Sequence, residues 1–255
     1  MIALMILSEK SDGSIKGRVA YNGKPTRTWV SREEASSPTA ATESIFLTAS
    51  VDAYQKRDVM SVDIPNAYIQ ASIPERKNGE DRIVMKLTGI LVEWMLEIEP
   101  ETYKGYVVME KGVKTLYVVV TKAIYCMLIA SVLWYKKLKE DLLGLGFKFN
   151  SYDPCVANRI IRGSQQTIRF HVDDILSSHI DPQVNTQFEA EMNNLYGRLK
   201  KVKAQRGKKH EFLGMILKYS NDGKLHVHME KHVKDMIDSG PKAKSSGKIV
   251  PTPAT

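Results

Sequence analysis

Cysteine is scarce in this 255-residue chain, which has only Cys126 and Cys155. Because the two cysteines form no CxxC pair, the sequence argues against a disulfide framework or a zinc ribbon and suits a reducing compartment. Long apolar runs are scarce too: the stretch at residues 1–7 is far too short to cross a membrane, and it lacks the charged region of a signal peptide. We therefore expect an intracellular protein with no membrane partner.

An excess of negative charge is also absent. The sequence has 37 Lys and Arg against 29 Asp and Glu, for a formal charge of +8. This balance favours a polyanionic partner, nucleic acid first, although a merely soluble basic protein has the same balance. There is no internal repeat, Ser/His/Asp pattern or phosphate-binding glycine loop. His226, His228 and His232 lack an obvious fourth ligand for zinc.

The order of expected elements indicates the fold class. Residues 2–21 have the pattern of a hairpin, 127–143 that of a helix, and Asp181-Pro182 the start of an amphipathic helix. A last helix is expected near 230–239. Hairpins, helices and paired strands without steady βαβ alternation predict an α+β fold. The Pro-, Lys- and Ser-rich residues 241–255 predict a flexible linker or truncated tail.

Three carboxylates stand out against this background. Asp173 and Asp174 are flanked on both sides by apolar residues, in a stretch with the length of a tight hairpin. Asp63 ends a β-type run and precedes Pro65. Adjacent acids are common in solvated turns, and Asp63 alone is a weak signal. Converging at one sheet edge, however, the three would form a site for hard divalent cations, as a two-metal phosphoryl-transfer enzyme needs.

Four segments in order resemble the copia-type retrotransposon reverse transcriptases. The segment 62–70 (VDIPNAYIQ) is similar to the first catalytic motif of that family. Residues 122–125 (KAIY) with 134–135 (WY) resemble the ends of the second motif. The segment 171–174 (HVDD) resembles the catalytic hairpin, and 212–214 (FLG) the primer-contacting hairpin. Four motifs in order are more specific than any one, and the similarity extends to about residue 240.

The resemblance implies a fingers–palm–thumb polymerase fold with a ferredoxin-like palm and a catalytic β-hairpin. The reverse transcriptase domain would be 1–240, with fingers at about 1–57 and 75–121, palm at about 58–74 and 122–209, and the start of the thumb at about 210–240. Its partners would be an RNA or DNA template with a primer, and deoxynucleoside triphosphates. Because the family carries ribonuclease H and integrase regions, we expect a fragment of a polyprotein, located in the cytoplasm or a virus-like particle.

The resemblance also implies roles for individual residues. Asp63, Asp173 and Asp174 would be catalytic and would hold two Mg²⁺ ions, with Mn²⁺ as an alternative. The residues expected to bind the nucleotide are Lys16, Arg18 and Tyr68, with the tyrosine ring excluding a 2′-hydroxyl. The residues expected to contact nucleic acid are Lys200, Lys201, Lys203, Phe212, Leu213 and Gly214. Without the resemblance, Lys16 and Arg18 are typical of a solvated edge strand, and the lysines at 200–203 of a solvated loop or tail. Tyr68 alone would be interpreted as an ordinary aromatic residue of a strand.

Three positions depart from the family pattern. His171 replaces the commoner Tyr of the hairpin, and Cys126 and Ile129 replace a glycine and a glutamine of the second motif. A glycine that permits close backbone approach is thereby lost. The leading hypothesis is an RNA-directed DNA polymerase. The alternatives are a noncatalytic nucleic-acid-binding remnant of the same fold and, less consistent with the motif order, an unrelated metal-dependent phosphohydrolase.

Overall fold

The computed structural model describes residues 2–9, 13–28, 30–74 and 82–239, with the backbone alone at Lys16 and Lys231. Within these residues the chain is a mixture of α-helices and β-strands, as the sequence predicts. The strands are β1 Ala3–Glu9, β2 Ile15–Tyr21, β3 Asp58–Asp63, β4 Val84–Thr88, β5 Val108–Glu110, β6 Val113–Val119, β7 Lys148–Phe149, β8 Val156–Ile161, β9 Ser164–His171, β10 Asp174–His179, β11 Lys203–Arg206, β12 Lys209–Phe212, β13 Met215–Tyr219 and β14 Leu225–His228. The helices are α1 Arg32–Ala35, α2 Thr42–Tyr54, α3 Ala67–Gln70, α4 Ile90–Ile98, α5 Pro100–Tyr103, α6 Ala130–Gly144, α7 Pro182–Tyr196 and α8 Glu230–Ser239.

A six-stranded antiparallel sheet forms the centre of the molecule, in the order β11-β3-β10-β9-β8-β7. Consecutive residues of a strand point to opposite faces, so Ile175 and Leu176 of β10 belong to two different cores. Ile175 packs in the cluster that includes Trp134 of α6 and Phe188 of α7. Leu176 packs in the cluster that includes Ile45 of α2. The sheet is therefore covered by α6 and α7 on one face and by α2 on the other.

Three smaller sheets surround this centre. One is the β1-β2 hairpin, another has the order β4-β6-β5, and the third has the order β12-β13-β14. The last packs on the α2 face, since Phe212 and Leu217 share a buried cluster with the residues of α2. The β12–β13 turn is thus held close to the sheet that carries the aspartates.

A buried ion pair on the α2 face of the central sheet connects β9, α2 and β13. Arg169 of β9 and Asp52 of α2 are almost wholly buried, and Nη2 of Arg169 lies 2.5 Å from Oδ2 of Asp52. The same nitrogen donates to the hydroxyl of Tyr219 in β13 at 3.3 Å. Breaking such a pair by removing one charge is strongly destabilising, because the other charge stays buried. These contacts fix α2 and β13 against β9, the strand that leads to the Val172-Asp173 turn.

Local sequence explains several element boundaries. Helix α7 begins where expected, with Pro182 in its first turn and the Asp181 side chain accepting from the backbone N–H of Gln183 at 2.9 Å. The predicted helix of 127–143 begins later, at Ala130. The basic segment 198–209, whose charges alone are typical of a solvated loop or tail, contains the strand β11.

The remaining expectations have different outcomes. Among the described residues, no helix is long and apolar enough to span a membrane. The predicted linker 241–255 lies outside the described residues, as do residues 75–81 of the predicted fingers. The division of the chain into fingers, palm and thumb stays a prediction.

Candidate active site

Asp63 and Asp174 lie directly opposite each other on adjacent strands. Asp63 ends β3, Asp174 begins β10, and the two are paired in the antiparallel register. Side chains of directly paired residues lie on the same face of a sheet, about 5 Å apart at Cβ. The two carboxylates therefore share the α2 face of the sheet, at the end where β3 stops and β10 begins.

Asp173 lies in the two-residue turn between β9 and β10. Its carbonyl accepts a hydrogen bond from the backbone N–H of Ile64 at 3.1 Å, which joins the turn to the residue after Asp63. His171 and Asp174 are the paired residues that close the turn. The structure thus brings Asp63, Asp173 and Asp174 to one end of the central sheet.

Crowding of negative charge is evident at Asp174. Desolvation by the surrounding protein raises the pKa of its carboxyl to about 6, and repulsion from Asp173, Asp63 and Glu211 contributes. Like charges disfavour ionisation unless a cation compensates them. Glu211 of β12 is a fourth carboxylate in this neighbourhood that sequence reasoning missed, since only the packing of β12 beside the central sheet brings it near.

The oxygen donors suit Mg²⁺ or Mn²⁺, and the uncompensated charge at Asp174 is the kind that a divalent cation relieves. Within residues 2–9, 13–28, 30–74 and 82–239, however, no three His, Cys, Asp or Glu residues form an assembled group that could hold a metal ion. The donor chemistry therefore fits a metal site, whereas a preformed three-carboxylate cage is not part of the described structure.

A cavity of about 240 Å³ opens beside the paired aspartates. Its lining includes Asp63, Asp174, Lys203, Glu211 and Phe212. Lys203 is the partner of Asp63 on β11, on the side opposite to Asp174, and its Nζ lies 3.9 Å from Oδ2 of Asp63. Asp63 thus has a carboxylate on one neighbouring strand and an ammonium group on the other.

Tyr68 lies in the short helix α3, five residues after Asp63, and is half-buried. Burial raises the pKa of its phenol above the usual range, and the nearby charge of Asp173 adds to this effect. Its ring meets that of Tyr125 edge-on, with centroids 5.1 Å apart. Tyr68 is therefore near the Val172-Asp173 turn, in a helix instead of a strand.

Arg18 approaches the same aromatic pair from the β1-β2 hairpin. Its guanidinium carbon lies 5.3 Å from the centroid of the Tyr125 ring, a cation–π arrangement. Its Nε is buried and has no hydrogen-bond partner within the part of the chain that the structure describes. Lys16 is on the same strand, β2, but its side chain lies outside the described residues.

The other residues expected to contact nucleic acid lie in two separate segments. Lys200 and Lys201 are exposed just before β11. Phe212 is the last residue of β12 and is buried, whereas Leu213 and Gly214 form the exposed turn to β13, both with positive φ. The Phe212-Leu213-Gly214 segment therefore forms the turn of a hairpin, and the exposed residues at its tip are Leu213 and Gly214.

Comparisons with known proteins give the following result. No protein-family model matches the chain. No curated protein matches it. Among solved structures, it is similar to telomerase from Candida albicans in complex with a TWJ fragment of telomeric RNA, with 10% identity and a TM-score of 0.46 over 89% of this chain and 46% of that one. It is also similar to apo telomerase from Candida tropicalis truncated from its C-terminal domain, with 11% identity and a TM-score of 0.45 over 89% of this chain and 55% of that one.

The chain thus spans about half the length of these structures. A likeness at these values carries no assignment of function, which must come from the site itself.

Proposed function

We propose that this chain is an RNA-directed DNA polymerase domain of a copia-type retrotransposon. The observation that carries the proposal is the pairing of Asp63 with Asp174 at one end of the central sheet, next to the turn that contains Asp173 and to an open cavity. The two aspartates are far apart in the sequence, so their pairing is a property of the fold. It supports the proposal because nucleotidyl transfer with bound cations uses carboxylates brought together in this way.

In this proposal the fold is that of a polymerase with fingers, palm and thumb. The central sheet with α6 and α7 corresponds to the palm, and its β9–β10 turn is the catalytic hairpin. The β1-β2 hairpin and the β4-β6-β5 sheet belong to the fingers. The β12-β13-β14 sheet and α8 are at the start of the thumb. The ribonuclease H and integrase regions of the family would lie elsewhere in the polyprotein.

Asp63 and Asp173 would be the principal ligands of two Mg²⁺ ions, with Asp174 beside them. Such ions, when bound, activate a primer 3′-hydroxyl and stabilise the charge that develops on pyrophosphate. The contribution of the chain itself is to hold the carboxylates by strand pairing and to leave the cavity open to a primer end. Lys203, beside Asp63, is a cation within reach of that same space.

The incoming nucleotide would lie between the catalytic turn and the β1-β2 hairpin. Arg18 and Lys16 of β2 would bind the triphosphate, and the stacking of Arg18 on Tyr125 would hold the guanidinium there. Tyr68 would lie beneath the sugar and exclude a 2′-hydroxyl. Its closeness to Asp173 supports this role, since the sugar must lie next to the reacting phosphate.

The template and primer would be held mainly through phosphates. Lys200 and Lys201 are exposed and free to reach a backbone, and Lys203 is exposed at the edge of the sheet. The turn at Leu213 and Gly214 would contact the primer near its end. The basic charge of the chain supports a polyanionic partner of this kind.

A noncatalytic nucleic-acid-binding remnant of the same fold is the second candidate. Two observations favour it: the described residues include no assembled three-residue metal group, and Cys126 stands in the left-handed region with φ of 68° where the family has glycine. The two candidates differ in chemistry but not in binding, so a binding assay alone does not separate them.

Primer extension on an RNA template with Mg²⁺, using the purified chain, separates the two candidates. A polymerase extends the primer with deoxynucleotides, and Asp63→Asn abolishes the product. Asp222→Asn is the matched control, because Asp222 pairs with Lys224 in the β13–β14 turn and lines no part of the cavity. Tight binding of the primer–template without extension would support the remnant.

A further inference from the structure

The catalytic turn contains a residue in an unusual backbone conformation. Val172 has φ of 55°, and it is the first of the two residues that connect β9 with β10. In a two-residue hairpin a positive φ at that position is ordinarily taken by glycine. A β-branched residue there is an outlier, and such strained conformations persist only when the surroundings hold them.

One side chain outside the hairpin holds this residue directly. Nε1–H of Trp134, on α6, donates a hydrogen bond to the carbonyl oxygen of Val172 at 2.6 Å. Trp134 is 1% exposed, so the bond is shielded from competing water. Within a buried environment, a lost hydrogen bond of this kind leaves both groups unsatisfied.

Trp134 is itself fixed in place. The ring of Tyr196, from α7, meets it edge-on with centroids 5.2 Å apart, and the Tyr196 hydroxyl donates to Asp141 of α6. The backbone carbonyl of Tyr196 accepts from Nε2 of Gln70 at 3.2 Å. Gln70 ends α3, the helix that carries Tyr68. The same aromatic pair therefore contacts both the catalytic turn and the helix of the proposed sugar-sensing residue.

We propose that Trp134 is a positioning residue: through its indole N–H it holds the Val172-Asp173 turn in the conformation that presents the aspartates. The catalytic consequence of this proposal rests on the proposed polymerase function, whereas the structural part does not. The ordinary explanation is a core tryptophan whose N–H has simply found an acceptor. The two explanations differ in one respect, which is whether the effect of removing the N–H depends on the strain at Val172.

A double-mutant cycle tests that dependence. Trp134→Phe keeps an aromatic ring in the core but removes the donor, and Val172→Gly removes the side chain that makes a positive φ costly. The urea midpoint and the backbone amide resonances of residues 171–175 are measured for the wild type, both single variants and the double variant. We expect Trp134→Phe to shift these resonances, and to shift them clearly less in the Val172→Gly background, where glycine keeps the positive φ without support. Trp134→Phe should lower the midpoint in both backgrounds, but by unequal amounts, because a released Val172 can relax and recover part of the lost stability.

Tyr135→Phe is the matched control. Tyr135 is the next residue of the same helix, and its hydroxyl donates to a different backbone carbonyl, that of Pro154, at 3.2 Å. This variant also removes one donor from an aromatic ring of α6, so it should leave the resonances of the turn in place and show the same midpoint change in both backgrounds.

Activity is the second measurement. A misplaced turn should reduce the rate of single-nucleotide incorporation by roughly 10- to 100-fold in Trp134→Phe, with a smaller loss in the Val172→Gly background. Additive midpoint changes, with unmoved resonances at residues 171–175, would overturn the positioning role. If the wild type incorporates no nucleotide while the midpoints remain coupled, the polymerase function fails and the positioning role of Trp134 stands.

Discussion

The carbonyl oxygen of Cys126 fills the space next to Gly23: a Cβ built on Gly23 would lie 2.3 Å from it. The backbone N–H of Tyr21 donates to the carbonyl of Tyr125 at 2.9 Å, which joins the end of β2 to this segment. The backbone that follows the first hairpin, at Tyr21–Gly23, is thus packed against the backbone at Tyr125 and Cys126. Gly23 provides the close approach, and Cys126 takes part with φ of 68°, a region that glycine favours.

The first prediction concerns this strain. Replacing Cys126 by glycine should relieve the positive φ, whereas Cys126→Ala removes the thiol but keeps the Cβ that causes the strain. We expect Cys126→Gly to be more stable than Cys126→Ala by about 1 kcal/mol in the free energy of unfolding. Urea denaturation of the two variants measures the difference. Equal stabilities would mean that the Cβ at this position is not strained.

The second prediction concerns sugar selection. Tyr68→Ala should open space beside the bound sugar and remove a steric clash of about 1–3 kcal/mol with a 2′-hydroxyl, by analogy with overpacking in cores. The ratio of kcat/KM for ribonucleotides to that for deoxynucleotides should therefore rise. Tyr68→Phe keeps the ring and should keep the ratio. An unchanged ratio in an active Tyr68→Ala enzyme would make Tyr68 a packing residue, held against Tyr125 and the hydrophobic core.

The third prediction concerns pH. His210 is wholly buried, and this burial lowers the pKa of its imidazole below the ordinary value. The Nε2 atom of His210 lies 2.9 Å from the carbonyl oxygen of Gly207, so Nε2 carries the proton of the neutral ring. As the pH falls below about 6.5, the unfolded chain takes up a proton that the folded protein does not, and stability falls by up to about 1.4 kcal/mol per pH unit.

The measurement is the free energy of unfolding at about pH 7.5 and about pH 5.5, for the wild type and for His210→Gln, which cannot take up that proton. Groups that titrate in both proteins cancel in the comparison. The wild type should lose more stability on acidification than the variant does. The same loss in both would show that His210 titrates normally in the folded protein.

The fourth prediction concerns phosphate contacts. If Lys200, Lys201 and Lys203 contact a nucleic-acid backbone, replacing all three by alanine should reduce the slope of log affinity against log salt by up to about 2–3 units. Lys136 and Lys148 provide the control. Lys136 is exposed on α6, and Lys148 is on β7, at the opposite edge of the central sheet from β11. Their replacement by alanine should leave the slope as it is. A slope that is equally unaffected by the triple replacement would mark these lysines as a solvated segment.

Local patterns account for much of the fold. The first hairpin, α7 and α8 could all be predicted, because turn residues, caps and apolar periodicity are encoded within a few neighbouring positions. Strand β11 could not, since this short, mostly exposed edge strand, with Lys203 and Arg206 at its ends, lacks the apolar alternation of a half-buried strand. Its charges pointed to a loop, whereas its register places Lys203 beside Asp63.

The parts of the site that were missed depend on contacts between distant segments. The resemblance indicated which aspartates to expect together, but no local pattern shows that Glu211 lines the same cavity. Nor does any pattern reveal that the indole of Trp134 bonds to the carbonyl of Val172, because a tryptophan on an apolar helix face is ordinarily just core. Such contacts follow from the packing of α6 and β12 against the sheet.

The fifth prediction addresses the central claim, that the aspartates at this end of the central sheet catalyse nucleotidyl transfer. The most direct measurement is the rate of a single deoxynucleotide addition to a primer on an RNA template, as a function of Mg²⁺ concentration. The wild type should show Mg²⁺-dependent addition. Asp63→Asn and Asp173→Asn should each reduce the rate by a factor on the order of 10³ or more while still binding the primer–template, since each removes a carboxylate that would hold the Mg²⁺ ions. A wild-type protein that binds the primer–template but adds no nucleotide at any Mg²⁺ concentration, or addition that persists unchanged in both variants, would contradict the account.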